Sequence, residues 1–208
     1  MARGLVAANA VARASVAAGV CCVVLSFALG LICGLVHLVA VAGGLVYDLV
    51  GKRHAWSFVP FAVSFGLLPS VATLSLPQPV WPPWWASVAG ALLGVVAHFA
   101  NVLPDLDDDV AAGVMGLPQR LGATLTRALA AGLLLVAAIV LAIGPRTTGT
   151  SATLPGWVTA VALVVIVVLL AFAFAIRWPE GSRAPFALTV LATVVVVGLL
   201  VARGSALT

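Results

Sequence analysis

Charge is what this sequence has least of. Of 208 residues only 8% are Asp, Glu, Lys or Arg, six of them acidic and ten basic. An ordinary soluble domain carries about a quarter, so this chain cannot coat itself with enough polar surface to fold in water. Lysine is nearly missing: Lys52 stands alone beside nine arginines. The basic residues are scattered rather than clustered, so a net charge of +4 makes no nucleic-acid patch and excludes that class of partner. The arginine bias, together with abundant Ala, Val and Gly, points to a GC-rich genome, and the expected location is a bacterial cell membrane. Cysteine is scarce too. Cys21, Cys22 and Cys33 fall in apolar stretches without metal-ligand spacing or a disulfide framework, and they read as small buried packing residues. No cleavable leader is expected, because apolar sequence runs on from Val16 past any plausible cleavage point.

What the chain has in quantity is hydrocarbon. Apolar residues make up 63% of it and the mean hydropathy is +1.25, so its solvent is the lipid bilayer. Crossing about 30 Å of hydrocarbon at 1.5 Å per residue takes about 20 apolar residues. Seven spans of that length use up the chain, at about 11–30, 32–50, 56–76, 84–103, 123–143, 157–176 and 185–202. The expected architecture is therefore all-α, a polytopic membrane helix bundle forming a single domain over 1–208. Lys52, Arg53 and His54 make a polar loop, and Pro77-Gln-Pro-Val-Trp-Pro-Pro cannot continue a helix. Gly30-x-x-x-Gly34 and Gly90-x-x-x-Gly94 have the spacing of close helix contacts, but in a chain with 20 glycines such spacings arise by chance.

The same spans sort the basic residues by side. Arg3, Arg13, Lys52, Arg53, Arg120, Arg127, Arg177 and Arg183 share the side of the N-terminus, against Arg146 and Arg203 opposite. Eight against two predicts a cytoplasmic N-terminus and, with an odd number of spans, a C-terminus outside. Trp81, Trp84 and Trp85 then fall at the outer interface, and Trp56 and Trp178 at the inner one, as aromatic belts.

Four of the six acidic residues crowd into five positions: Asp105, Asp107, Asp108 and Asp109. Two like charges about 4 Å apart repel by about 1 kcal/mol in water and about 4 kcal/mol near a protein surface, so a divalent cation would offset the crowding. Magnesium takes one or two protein carboxylates and completes its shell with water and phosphate oxygens. On a continuous helix His98, Asn101, Asp105 and Asp109 would share a face, with Asp107 and Asp108 pointing elsewhere. Pro104 is expected to kink that helix near Ala100. The plainer reading of the cluster is a solvated acidic loop at a helix end. His98 lies about a turn inside the membrane from Asn101; as an intramembrane ionisable group it is a functional candidate, with a neutral, hydrogen-bonded packing role as the alternative. His37 reads as packing and His54 as an ordinary loop residue.

Asn101-Val-Leu-Pro-Asp105-Leu-Asp-Asp-Asp109-Val-Ala-Ala-Gly113, followed by Leu117-Pro118-Gln-Arg-Leu121-Gly122, resembles the second aspartate-rich motif of the UbiA superfamily of intramembrane prenyltransferases. Tyr47 followed by Lys52 is similar to the family's tyrosine–lysine pair on an earlier cytoplasmic loop. The resemblance runs across nearly the whole chain. It departs from the family in three places: a first aspartate motif and the two helices before it have no counterpart, Val110 stands where a basic residue often follows the motif, and Val114 and Gly116 replace the Lys and Thr that often precede Leu-Pro.

The resemblance implies magnesium-dependent transfer of a prenyl group from an isoprenoid diphosphate to an acceptor in the membrane. By that resemblance Asp105 and Asp109 are the catalytic metal ligands for Mg2+, Asn101 supports them, and Lys52 and Arg53 grip the diphosphate. Tyr47 is either a site residue or an interface anchor, and Lys52 and Arg53 serve equally well as cations that set topology. Two other readings stand beside the enzyme: a non-catalytic relative of the same fold acting as a subunit, and a small transporter using the Asp cluster as a cation site. A transporter would carry ionisable groups near mid-bilayer, and the sequence has almost none beyond His37. The acceptor and the donor chain length are not legible, and a homo-oligomer is compatible with the sequence.

Overall fold

With no water in the bilayer core, an apolar run must satisfy its own backbone hydrogen bonds, and helices do so within one segment. A computed structural model describes residues 7–148, 154–175 and 184–204, and these are helices joined by turns, with no strand among the described residues. Seven helices form the bundle: α1 (Ala8–Ala28), α2 (Leu31–Leu49), α3 (Val59–Leu74), α4 (Trp84–Val102), α6 (Leu117–Thr147), α7 (Gly156–Ala175) and α8 (Ala184–Ala202). A short helix, α5 (Leu106–Ala111), lies between α4 and α6. Five segments are long and apolar enough to cross a bilayer, namely α1, α2, α4 continued through α5, α6, and Gly156–Ala173 of α7; Val59–Leu74 and Ala187–Ala202 are shorter apolar helices. The protein is an integral membrane helix bundle, the class its composition required. Arg3, Arg177, Arg183 and Trp178 lie outside the described residues.

The core sits among α4, α6, α7 and α8, where Trp85, Leu93, Leu134, Leu141, Ile166 and Val196 are buried together. Trp85 belongs to this core and not to an interfacial belt. It is fully buried, while Trp81 and Trp84 are 62% and 51% exposed. Adjacent helical residues point about 100° apart, so Trp84 can face outward while Trp85 faces in. There it packs against Gly144, where any Cβ would run into the Trp85 side chain.

The tightest helix pair is α3 with α4. A Cβ at Gly94 would meet the Phe61 carbonyl and one at Gly90 the Phe65 carbonyl. The Gly90–Gly94 spacing is therefore a true close approach, the device by which membrane helices gain packing that hydrophobicity cannot supply between lipid-solvated surfaces. At the Gly30–Gly34 pair only Gly34 is pressed, against Ser26 and Phe27 of α1; Gly30 has φ +109° and forms the turn. Across that turn the Ser26 hydroxyl meets His37 Nδ1 at 2.7 Å, so His37 is a hydrogen-bonded packing residue. Cysteine burial holds for Cys33 alone, whose thiol reaches the Val71 carbonyl at 3.4 Å. Cys21 is exposed and Cys22 half-buried, because only α2 covers much of α1.

Pro104 acts later than the sequence suggested. The α4 helix runs undisturbed through Ala100 to Val102, then tightens into a 3₁₀ turn, Leu103–Asp105, before α5 begins. Tightening spares the carbonyl that a proline ring would otherwise strike. Gly113 ends α5 at φ +76°. The Val114 N–H bonds back to the Asp109 carbonyl and the Gly113 N–H to the Val110 carbonyl, the paired closure that requires a left-handed residue. Gly122, also at φ +76°, breaks α6 into a short entry segment and a long shaft that restarts at Ala123.

Candidate functional site

Polar side chains gather where the last turn of α2, the end of α4, α5 and the entry of α6 meet. Tyr47, near the end of α2, sets its ring edge-on to Phe61 at 4.9 Å and to His98 at 5.3 Å. Asp109 and Asp48 both lie close enough to act electrostatically on its hydroxyl. Tyr47 thus stands inside the acidic end of the molecule, between the buried imidazole and one of the two predicted metal ligands.

Asp109 is half-buried, and the Gln119 amide donates to its Oδ2 at 2.8 Å. Among the described residues it accepts no other side-chain hydrogen bond, which leaves Oδ1 without one there. Asp105 and Asn101 are exposed and make no side-chain hydrogen bond among the described residues. Asp107 and Asp108 are exposed as well. Asp105 and Asp109 stand one turn apart, across the junction of the 3₁₀ turn and α5, the spacing that puts side chains on one face. His98 departs from the face expected of it. It is 1% exposed, turned into the bundle against Phe61 and Phe99, so it does not join Asn101 and Asp105 at the surface.

Lys52 and Arg53 lie on a one-turn 3₁₀ segment after α2, with Lys52 half-buried and Arg53 exposed. That loop is fastened to the start of α6. The Leu117 N–H donates to Ser57 Oγ at 3.0 Å, and the same oxygen meets His98 Nε2 at 3.0 Å. Ser57 is fully buried. A Cβ at Gly116 would stand 2.9 Å from the Lys52 carbonyl, 3.0 Å from Ser57 Oγ and 2.8 Å from Gln119 Oε1. Gly116 therefore has no room for a side chain: the Lys52 loop occupies the space one would need.

Ser57 and Gln119 were invisible as site residues in the sequence. Serine is common in turns, and nothing marks the one whose oxygen is shared by two helices. Gln119 had a faint signal, as an uncharged polar residue in the first turn of a helix that leads directly into the membrane.

Among the described residues no three His, Cys, Asp or Glu side chains converge as a closed metal cage. The donors present suit a different kind of site. An Asp109 oxygen without a side-chain hydrogen bond among the described residues, a second carboxylate a turn away and open space at the surface match a hard divalent ion that keeps its water and takes phosphate oxygens. Gln119 Oε1 and His98 Nδ1 are buried nearby without a hydrogen-bond partner, which leaves polar capacity for water or ligand atoms at this end.

Just inside the membrane from these acids lies a pocket of about 290 Å3 between α4 and α8. Val96, Ala97 and Ala100 line one wall and Val190, Thr193, Val194 and Val197 the other. Ala97 and Asn101 stand four residues apart on α4, so the pocket lies one turn below Asn101 on the same side of that helix.

A family model described as the UbiA prenyltransferase family matches residues 1–194, from the N-terminus well into α8. No curated protein and no solved structure matches the chain significantly.

Proposed function

Since the chain belongs to the UbiA prenyltransferase family, we propose that it transfers a prenyl group from an isoprenoid diphosphate to an acceptor within the membrane, with magnesium. The observation that carries this reading is order along the chain: α4 lines an apolar pocket of about 290 Å3 with Val96, Ala97 and Ala100, and Asn101 and Asp105 follow directly at its end. A charged headgroup and a hydrocarbon tail need that sequence of environments.

Asp105 and Asp109 would hold the ion, with Asn101 beside them. Bound there, magnesium would neutralise charge on the departing diphosphate. Lys52 and Arg53 would bind the diphosphate oxygens, Lys52 as a point charge and Arg53 with its planar fork. Heterolysis of the carbon–oxygen bond leaves an allylic cation that water would quench, so the tail must sit in a dry place. The Val and Ala walls of α4 and α8 provide one. Tyr47, between His98 and Asp109, closes the inner side of the rim.

Activity is tested by diphosphate release from a radiolabelled prenyl diphosphate in vesicles containing the protein, with and without magnesium. Metal stabilisation is worth several kcal/mol, so Asp105→Asn and Asp109→Asn should each lose roughly a hundredfold or more in rate while unfolding at the wild-type temperature. Variants that retain full magnesium-dependent release would end the assignment.

A further inference from the structure

The Gln119–Asp109 hydrogen bond bears on which ion the site accepts, an inference that rests on the functional reading above. Gln119 is only 8% exposed and its amide nitrogen sits 2.8 Å from Asp109 Oδ2. A carboxylate facing this contact presents only acceptors, so the NH2 end must face it. Its other amide atom, Oε1, is buried without a hydrogen-bond partner, 2.8 Å from where a Cβ on Gly116 would stand, so the bond to Asp109 is what orients the amide. The Asp109 backbone is fixed as well, its carbonyl taken by the Val114 N–H. With the backbone closed and one lone pair of Oδ2 taken, only Oδ1 keeps both of its lone pairs for a cation.

We infer that Gln119 is a positioning residue that biases Asp109 toward coordination through a single oxygen, and so favours a small six-coordinate ion over calcium. Calcium takes six to eight oxygens in flexible geometry and readily uses both oxygens of one carboxylate. Magnesium and manganese are held by single oxygens in near-octahedral shells. The bond to Oδ2 draws charge from that oxygen and holds the carboxylate in one orientation, which weakens the two-oxygen mode that favours the larger ion. A glutamine that merely packed would leave the ratio of the two affinities unchanged.

The test uses the full chain purified in detergent, with inorganic pyrophosphate as the diphosphate probe. Free Mn2+ is read by electron paramagnetic resonance, and Ca2+ by its displacement of Mn2+. Wild type should bind Mn2+ in preference to Ca2+, and Asp109→Asn should abolish Mn2+ binding. In Gln119→Leu and in Gln119→Met, which fills the same volume without a donor, Mn2+ should bind about tenfold or more weakly. Calcium affinity should hold or rise, so that the Mn2+ to Ca2+ ratio falls at least as far. An unchanged ratio in a folded variant, with Mn2+ binding still dependent on Asp109, overturns the role of Gln119 and leaves the functional reading intact. A wild type that binds calcium as tightly as manganese overturns it without any variant. A wild type that binds neither ion removes both.

Discussion

Ser57 Oγ accepts the Leu117 N–H and meets His98 Nε2, so deleting that one oxygen strands two groups in a buried setting. An unsatisfied buried donor or acceptor costs about 1–3 kcal/mol. Ser57→Ala should therefore lower the stability of the purified protein by about that amount, measured as a shift in its denaturant midpoint, although Ser57 touches no predicted ligand. The more telling readout is local: hydrogen exchange at Leu117 should accelerate while exchange in the core of α4 and α6 stays slow. At this scale the sequence was legible in its charges and illegible in its hydrogen bonds. Asp109 and Tyr47 could be singled out because acids and a lone tyrosine are conspicuous in an apolar chain. Ser57 and Gln119 matter only through where they end up, across 60 and 10 residues of sequence from their partners. Spacing along one element cannot reveal that.

Helices were easier to find than their faces. Long apolar runs with proline and glycine between them announced the bundle, because twenty hydrophobic residues in a row have few other uses. Which side of each helix turns inward was hidden. In water an amphipathic stripe marks the buried face, but lipid tails are as apolar as a core, so Trp84 and Trp85 looked alike. Glycine carries the missing information at α3 and α4. Gly94 is wedged on the Phe61 backbone, whereas Gly44 has nothing within 4 Å of an added Cβ. Gly94→Ala should destabilise the bundle by about 1–3 kcal/mol through overpacking against an unyielding carbonyl. Gly44→Ala should be neutral or stabilising by up to about 1 kcal/mol. Resistance to unfolding in mixed micelles distinguishes the two; equal effects would mean that α3 and α4 do not meet as described.

For the molecule as a whole, the charge asymmetry predicts which way the bundle sits. Among the described residues Arg13, Lys52, Arg53, Arg120 and Arg127 are assigned to one side by the order of helices, and Arg146 and Arg203 to the other. Arg146 does lie near enough to Arg203 to act on it electrostatically, so the ends of α6 and α8 meet on the poorly charged side. On the positive-inside rule the acids face the cytoplasm. In a cysteine-free background, Asp107→Cys should react with an impermeant thiol reagent only from the cytoplasmic side, and Trp157→Cys, at a position 69% exposed, only from the opposite one. The reverse pattern would invert the orientation and move the proposed donor site to the outer leaflet.

The 3₁₀ turn at Leu103–Asp105 has a geometric effect that no single side chain could produce. A 3₁₀ residue advances the chain by 120° where an α-helical residue advances it by 100°. Within this turn Leu103 keeps α-helical angles, φ −55° and ψ −39°, and the departure falls at Asp105, φ −109° and ψ 11°, so α5 restarts there rather than continuing α4 in register. Asp109, which meets Gln119, and the exposed Asp107 and Asp108 all take their bearings from the helix that restarts after the turn. The aim of the carboxylates is thus written into the winding of the backbone beside a proline, which behaves as a fixed wrench-turn between a membrane rod and its acidic tip.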